Sequence, residues 1–377
     1  MTPARLLSLA TAVPPHVIRQ GDAKRLIEAL FSAAPGSAGD PEGGGAGGRA
    51  DWARLYSVFD HGAIETRRSC MPLEWYAEPH GFRERNDRYL EHAVGLSAEA
   101  SLRALERGGL SPRDVDHIVF VSSTGLATPS VDAMLVNRLG LPSRVRRTPV
   151  WGLGCAGGAA GLARAGAFAQ ADPGSRVLVV ALELCSLTFQ RGDRTKRNLV
   201  AASLFGDGAA AAVLAAEPSG ASRRASGARR ALDLVSSAAT FWHDTLDVMG
   251  WDVDGDGLHV VFSRDIPAIV RTKVRESAEA FLGAEGLRMR DIRRFAAHPG
   301  GLKVLDAYRD ALELDEEAVR VARDVLREFG NMSAPTCLFV LDRFLERDEI
   351  AAGDHVLVTA LGPGFSAEYV LLRGVSA

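Results

Sequence analysis

Cysteine is scarce in this chain, long apolar runs are missing, and neither sign of charge is in excess. Cys70, Cys155, Cys185 and Cys337 are the four cysteines of 377 residues, far apart and with no CxxC pair. That spacing suggests neither a disulfide framework nor a zinc site, and it suits a reducing cytoplasm. No apolar run approaches the ~20 residues that a membrane-crossing helix needs, so stable membrane insertion is not expected. A formal net charge of −3 gives no electrostatic reason to expect nucleic acid or an anionic membrane as a partner. Leu6–Val13 is mildly apolar and follows Arg5, but it is short and Pro14 and Pro15 come next. A secretory signal is therefore disfavoured, and a cytoplasmic protein is expected.

What the chain does have is core-forming material, with 47% hydrophobic residues. Its length allows two domains of ordinary size or one large duplicated unit. Arg5–Ala12 reads as a strand, Gly21–Leu30 as a helix, and Asp51–Arg68 as helical and then basic. In Phe82–Glu106, Tyr89, Ala93, Leu96, Ala100 and Leu105 recur at helical spacing. Asp116–Ser123 and Arg176–Glu183 are unbroken apolar strands, buried on both faces. Val131–Leu139 reads as a helix, and Phe205–Leu214 as a glycine turn entering a strand. Pro35–Gly48 is a glycine-rich loop whose Gly43, Gly45 and Gly48 spell GxGxxG with no strand before them, so they carry no nucleotide-binding meaning.

Glu217–Arg230, rich in Ser, Gly and Arg, is the best candidate linker. It divides the chain into halves at 1–220 and 221–377. Beyond it come an extended Ala231–Ala239 and a helical Asp265–Leu282. A short strand at Arg293–Ala297 precedes helices at Leu302–Leu312, Glu316–Phe329 and Ala334–Leu345. Strands at Asp354–Ala360 and Ala367–Leu372 close the chain. The alternation argues for an α/β layered fold with mostly parallel sheets. The similar element order of the halves hints at duplication.

Three segments place a polar, reactive residue beside glycine at the edge of an element. They are Gly154-Cys155-Ala156-Gly157-Gly158, Ala297-His298-Pro299-Gly300-Gly301 and Phe329-Gly330-Asn331-Met332-Ser333. Cys155 sits where an apolar run meets a small-residue helix, so the helix N-terminus favours its thiolate. Taken singly, Cys155 could be an inert buried thiol, His298 a structural histidine and Asn331 a helix cap. Together they form a recurrent nucleophilic set, although spacing alone does not bring them into contact.

These segments, with Leu204-Phe205-Gly206-Asp207-Gly208 and Leu361-Gly362-Pro363-Gly364-Phe365, resemble the type III polyketide synthases. This is the chalcone and stilbene synthase family of thiolase-like condensing enzymes, and the resemblance runs from about Ser8 to the C-terminus. It implies a duplicated αβαβα fold with two mixed, mostly parallel sheets, a homodimer, no metal and no cofactor beyond CoA thioester substrates. It also implies roles. Cys155 would carry an acyl group from acyl-CoA. His298 would stabilise the thiolate as an ion pair. His298 and Asn331 would bind the malonyl-CoA carbonyl during decarboxylation.

Phe205 matches one of two family phenylalanines between the CoA passage and the cavity. Val260 stands where the other belongs, which suggests a wider passage, and Cys185 replaces a threonine of the plant enzymes. Thr128, Ser333, Gly362, Pro363 and Gly364 are expected at the substrate. Arg54 and Lys303 are expected near CoA, with His61 and Ser57 on two positions where the family carries cations. Thr66–Tyr76, Ala127–Asp132 and Val261–Pro267 look more like the bacterial long-chain members, which make alkylpyrones or alkylresorcinols from fatty acyl-CoA.

An aromatic or short starter is the alternative within that family. Another is a single condensation of the initiating ketoacyl synthase type, and a third is a non-catalytic acyl-CoA binder. Asp252-Val253-Asp254-Gly255-Asp256-Gly257 imitates half of a calcium loop, but Ser263 holds the twelfth position and a hairpin turn is expected instead.

Overall fold

The computed structural model describes residues 3–32, 54–217 and 231–375. The glycine-rich stretch at 35–48, with its GxGxxG, lies outside them, as does the expected linker apart from Glu217. The strands of the first half are β1 Ala4–Ala12, β2 His16–Arg19, β3 Thr66–Ser69, β4 His117–Val121, β5 Arg146–Val150, β6 Arg176–Leu184 and β7 Asp207–Ala215. Those of the second are β8 Leu232–Phe241, β9 Met249–Asp254, β10 Gly257–Phe262, β11 Ile292–Ala297, β12 His355–Gly362 and β13 Ser366–Gly374. The longer helices are α1 Gln20–Ser32, α2 Phe82–Arg107, α3 Val131–Leu139, α4 Gly157–Ala171 and α5 Lys196–Leu204, followed by α6 Arg275–Ala284, α7 Leu302–Leu312, α8 Glu316–Phe329 and α9 Thr336–Glu346. Among the described residues no helix is long and apolar enough to cross a membrane.

Alternation along the strands explains the layers. In β6, Val177, Val179 and Ala181 enter one core while Leu178, Val180 and Leu182 enter another. In β12, Val356, Val358 and Ala360 join that first core, and Leu357 and Leu361 enter a third. The first core is therefore shared by strands of both halves, and it receives α4 and α9 between them. Helices α2 and α3 cover the outer face of the first half, and α6 and α7 that of the second. Strands with apolar residues on both faces need helices on both faces, and five layers result.

The α/β layered reading stands, with two differences in detail. The expected pair of sheets is one nine-stranded sheet, ordered β11-β12-β13-β8-β1-β7-β6-β4-β5. Its halves join where Ala4, Arg5 and Leu6 pair with Leu234, Asp233 and Leu232. The sheet is also not mostly parallel: among the described residues only β4–β5, β4–β6 and β11–β12 run parallel. Between β12 and β13 there are three residues, Pro363, Gly364 and Phe365, too few for the crossover that a parallel pair requires. The orders β1-β7-β6-β4 and β8-β13-β12-β11 correspond strand for strand, which is the duplication in structural form.

Candidate active site

Cys155 lies in a single 3-10 turn, Gly154–Ala156, that leads straight into α4. It is buried, against the central helix layer, and its turn is held from behind. A Cβ on Gly362 would come within 2.5 Å of the Leu153 carbonyl oxygen, and one on Gly158 within 2.1 Å of the Ala334 carbonyl oxygen. Only bare backbone lets the β12–β13 turn and the start of α9 pack this close to the nucleophile's turn. Burial pushes the Cys155 thiol up to about 11. A hydrogen bond with Ser333 opposes the rise, the Glu183 carboxylate adds to it, and a hydrogen bond with Asn331 opposes it again. The expected ease of thiolate formation at a helix start is thus outweighed, because desolvation acts on the whole charge and the helix terminus supplies only a partial one.

Asn331 follows α8 through Gly330, whose φ of +69 suits glycine. Its backbone bridges Phe205: Asn331 N donates to the Leu204 carbonyl at 2.8 Å, and Gly206 N donates to the Asn331 carbonyl at 3.0 Å. The side chain is fixed at both ends. Its Nδ2 donates to the Gly300 carbonyl at 3.1 Å, and its Oδ1 accepts from Ser333 N at 2.8 Å. Since Asn331 also reaches Cys155, one amide links the cysteine turn to the loop after His298.

His298 follows β11 directly, with its backbone N–H donated to the Thr359 carbonyl at 2.8 Å. Its ring is buried, both nitrogens lack a partner among the described residues, and desolvation lowers it to about 3. Two unengaged ring nitrogens in a buried site are costly unless something else uses them.

The remaining expected residues divide. Ser333 is at the cysteine. Phe205 and Cys185 form a small apolar cluster with Ala201, against which Val260, Trp251 and Phe262 pack. Phe205, Cys185, Ala201 and Val260 wall an apolar cavity of about 70 Å³, also lined by Ile27 and Leu73. Gly362, Pro363 and Gly364 touch the Cys155 turn and Phe241, so they support the site from outside the cavity. Thr128 is exposed on the loop before α3. The buried threonine of this stretch is Thr124, which donates to Glu183, and the chain becomes exposed from Leu126. Arg54 and Lys303 are exposed as well. Asp252–Gly257 forms the expected hairpin turn, with Asp254 Oδ1 accepting from Asp256 N and Gly257 N.

Sequence reasoning missed Glu183. It continues the alternation of Val177, Val179 and Ala181, so its carboxylate faces the central layer. There it accepts from Ser123 N at 2.9 Å and Thr124 Oγ1 at 2.7 Å. Burial raises it to about 8 despite those bonds. A charged residue ending an apolar strand two positions before Cys185 was the available signal. Trp251 and Phe262 were also missed, because their importance depends on a cross-strand register that no local pattern announces.

The description of chalcone and stilbene synthases, N-terminal domain, matches residues 73–218, and that of the C-terminal domain matches residues 233–376. The chain belongs to the chalcone and stilbene synthase family. It is a type III polyketide synthase, an acyltransferase-type condensing enzyme. It is 40% identical over 373 residues to a protein named as a putative chalcone synthase from Bacillus subtilis, covering 98% of each chain. It is 39% identical to a 1,3,6,8-tetrahydroxynaphthalene synthase of Streptomyces peucetius, covering 96% of this chain and 91% of that one. An alpha-pyrone synthesis polyketide synthase-like protein of Mycobacterium tuberculosis is 32% identical, over 98% of this synthase and 91% of its own length. The crystal structure of 1,3,6,8-tetrahydroxynaphthalene synthase from Streptomyces coelicolor superposes with a TM-score of 0.87 at 29% identity, covering 99% of both chains.

Proposed function

We propose that this synthase loads an acyl-CoA starter on Cys155, extends it with malonyl-CoA and cyclises the product. The observation that carries this reading is the meeting of three motifs. Asn331 reaches both Cys155 and the Gly300 loop, and His298 keeps two buried ring nitrogens unengaged. Burial alone keeps the thiol and the imidazole neutral. Moving the proton from Sγ to His298 makes an ion pair whose attraction in a water-poor site offsets desolvation, with Ser333 and Asn331 supporting the sulfur. The thiolate attacks the starter thioester, and CoA leaves as its thiol.

Malonyl-CoA then binds with its thioester oxygen facing His298 and the Asn331 amide. Loss of carbon dioxide leaves an enolate whose negative charge those donors stabilise. The enolate carbon attacks the acyl-Cys155 carbonyl. A carbon–carbon bond forms, and the Cys155 thiolate departs. The product is a β-ketoacyl-CoA two carbons longer, and repetition builds the chain that cyclises.

The starter is a fatty acyl group, and the product an alkylpyrone or alkylresorcinol. The apolar walls of the cavity at Phe205, Val260 and Cys185 support that choice. At about 70 Å³ the cavity takes only a few methylene groups as it stands, so a longer tail requires the side chains of α1 to give way. The working unit is a homodimer in the cytoplasm. Strand β5 leaves one sheet edge open, and Trp151, next in sequence, is half exposed. Mass spectrometry of the intact protein and of its products, with acyl-CoA starters of increasing length and malonyl-CoA, tests the reading. A starter adduct on Cys155 and pyrone or resorcinol products from fatty starters are expected. Extension by Cys155→Ala would overturn the covalent mechanism, and exclusive use of short starters would overturn the fatty-acyl assignment.

A further inference from the structure

Strands β9 and β10 form a two-stranded hairpin in which Val260 pairs directly with Trp251. Partners in an antiparallel pair project from the same face, and so do residues two apart on one strand. Trp251, Val260 and Phe262 therefore share one face, and that face lies on Phe205. The Phe205 ring centroid is 5.6 Å from that of Phe262 and 6.2 Å from that of Trp251, with both pairs tilted. Such spacings are ordinary contact between aromatic rings, so Trp251 and Phe262 each bear on Phe205, and small Val260 packs against the same cluster. Val260 and Phe205 leave the cavity beside them open, and the two larger hairpin side chains close on Phe205 outside its lining.

The hairpin is held in place at its turn. The Arg85 guanidinium donates to the Asp256 carbonyl, and Gln190 Nε2 donates to the Leu258 carbonyl at 3.1 Å. Arg85 and Gln190 are themselves buried. At its other end Met249 and Phe262 pack on the core of the second half. A hairpin fixed at both ends cannot swing away as a lid, so the opening beside Phe205 is set by side-chain size. Trp251, Val260 and Phe262 are half-buried while Phe205 is buried, which places the first three on the approach and the last at its inner end. That inner end is the residue bridged to Asn331.

We infer that Trp251 and Phe262, closing on Phe205, are the residues that set starter width, admitting unbranched aliphatic acyl groups and turning away aryl groups. A chain one methylene wide passes contacting rings by small side-chain rotations. A benzoyl group, rigid and several ångströms broad, needs one ring displaced. The inference rests on acyl loading at Cys155 and deepens that reading.

The test is competitive loading of Cys155 from an equimolar mixture of hexanoyl-CoA and benzoyl-CoA, read by intact-protein mass spectrometry. It compares the wild-type synthase with Trp251→Ala, Phe262→Ala, Trp251→Leu, Phe262→Leu and Val260→Phe. Wild type is expected to favour hexanoyl at least tenfold. Each alanine variant is expected to lower that ratio at least fivefold, and Val260→Phe to raise it. The leucine variants keep apolar bulk against the core and give the same reading if an alanine variant fails to fold. Hexanoyl loading with a ratio unchanged within twofold across the variants overturns the width filter and leaves the condensing mechanism standing. A wild type that acquires neither acyl group on Cys155 overturns both.

Discussion

A thiol pushed up to about 11 and an imidazole pushed down to about 3 are each poor catalysts at neutral pH, and the proposed chemistry depends on each correcting the other. Removing one should therefore expose the other's burial. In His298→Ala, alkylation of Cys155 by iodoacetamide at pH 7 is expected to slow at least tenfold, and its pH midpoint to move upward. An unchanged profile would show that His298 does not support the thiolate. Glu183 makes a second prediction, on stability. Its folded value of about 8 lies above its ordinary 4.5, so between those values the folded protein holds a proton that the unfolded chain has released. Stability is then fully retained below the unfolded value and falls as pH rises through this window, on the order of 4–5 kcal/mol for so large a shift. Urea midpoints at pH 5 and pH 8 should separate in the wild type and converge in Glu183→Gln; equal separation in both would assign the pH dependence elsewhere.

Among the elements, those read from a strong period were found nearly where expected, including Val131–Leu139 and Glu316–Phe329. The missed elements lack such a pattern. Strand β5, Arg-Arg-Thr-Pro-Val, has an edge position that tolerates charge and proline, so nothing in its composition marks it. Strand β3 falls at the basic end of Asp51–Arg68, and no local pattern marks it because its pairing with β2 joins residues about fifty positions apart. At the site, the cysteine, histidine and asparagine were legible from their glycine-flanked motifs. Glu183 and the hairpin aromatics were not, since their roles come from which face of a strand they occupy. The glycines beside the motifs mark where α4 and α9 approach. Gly158→Ala would force a methyl against the Ala334 carbonyl oxygen and near the Cys337 sulfur. It is expected to cost more than ~3 kcal/mol, measured by denaturant unfolding. A loss below 1 kcal/mol would mean that the two helices can separate freely.

For the whole molecule, the seam between halves is narrow in the sheet and broad in the core: three residue pairs join β1 to β8, whereas α4 and α9 share a core drawn from both halves. The far end of the sheet is the open edge of β5, beside half-exposed Trp151. If a second copy pairs there, Trp151→Glu places a charge at the contact and should convert a dimer to monomer in analytical ultracentrifugation. A wild-type monomer, or a dimer insensitive to that charge, would place the contact elsewhere.

The bridge between Phe205 and Asn331 ties the wall of the approach to the amide at the sulfur. On the proposed reading, this one backbone bridge joins a residue at the starter's approach to a residue facing the reacting carbonyl. A starter too broad for a ring rotation alone, one that shifts the Phe205 backbone, would also shift the segment that aims the asparagine. Its penalty then falls on kcat more than on KM, so this synthase would discriminate among starters by the speed of its chemistry as well as by what it lets in.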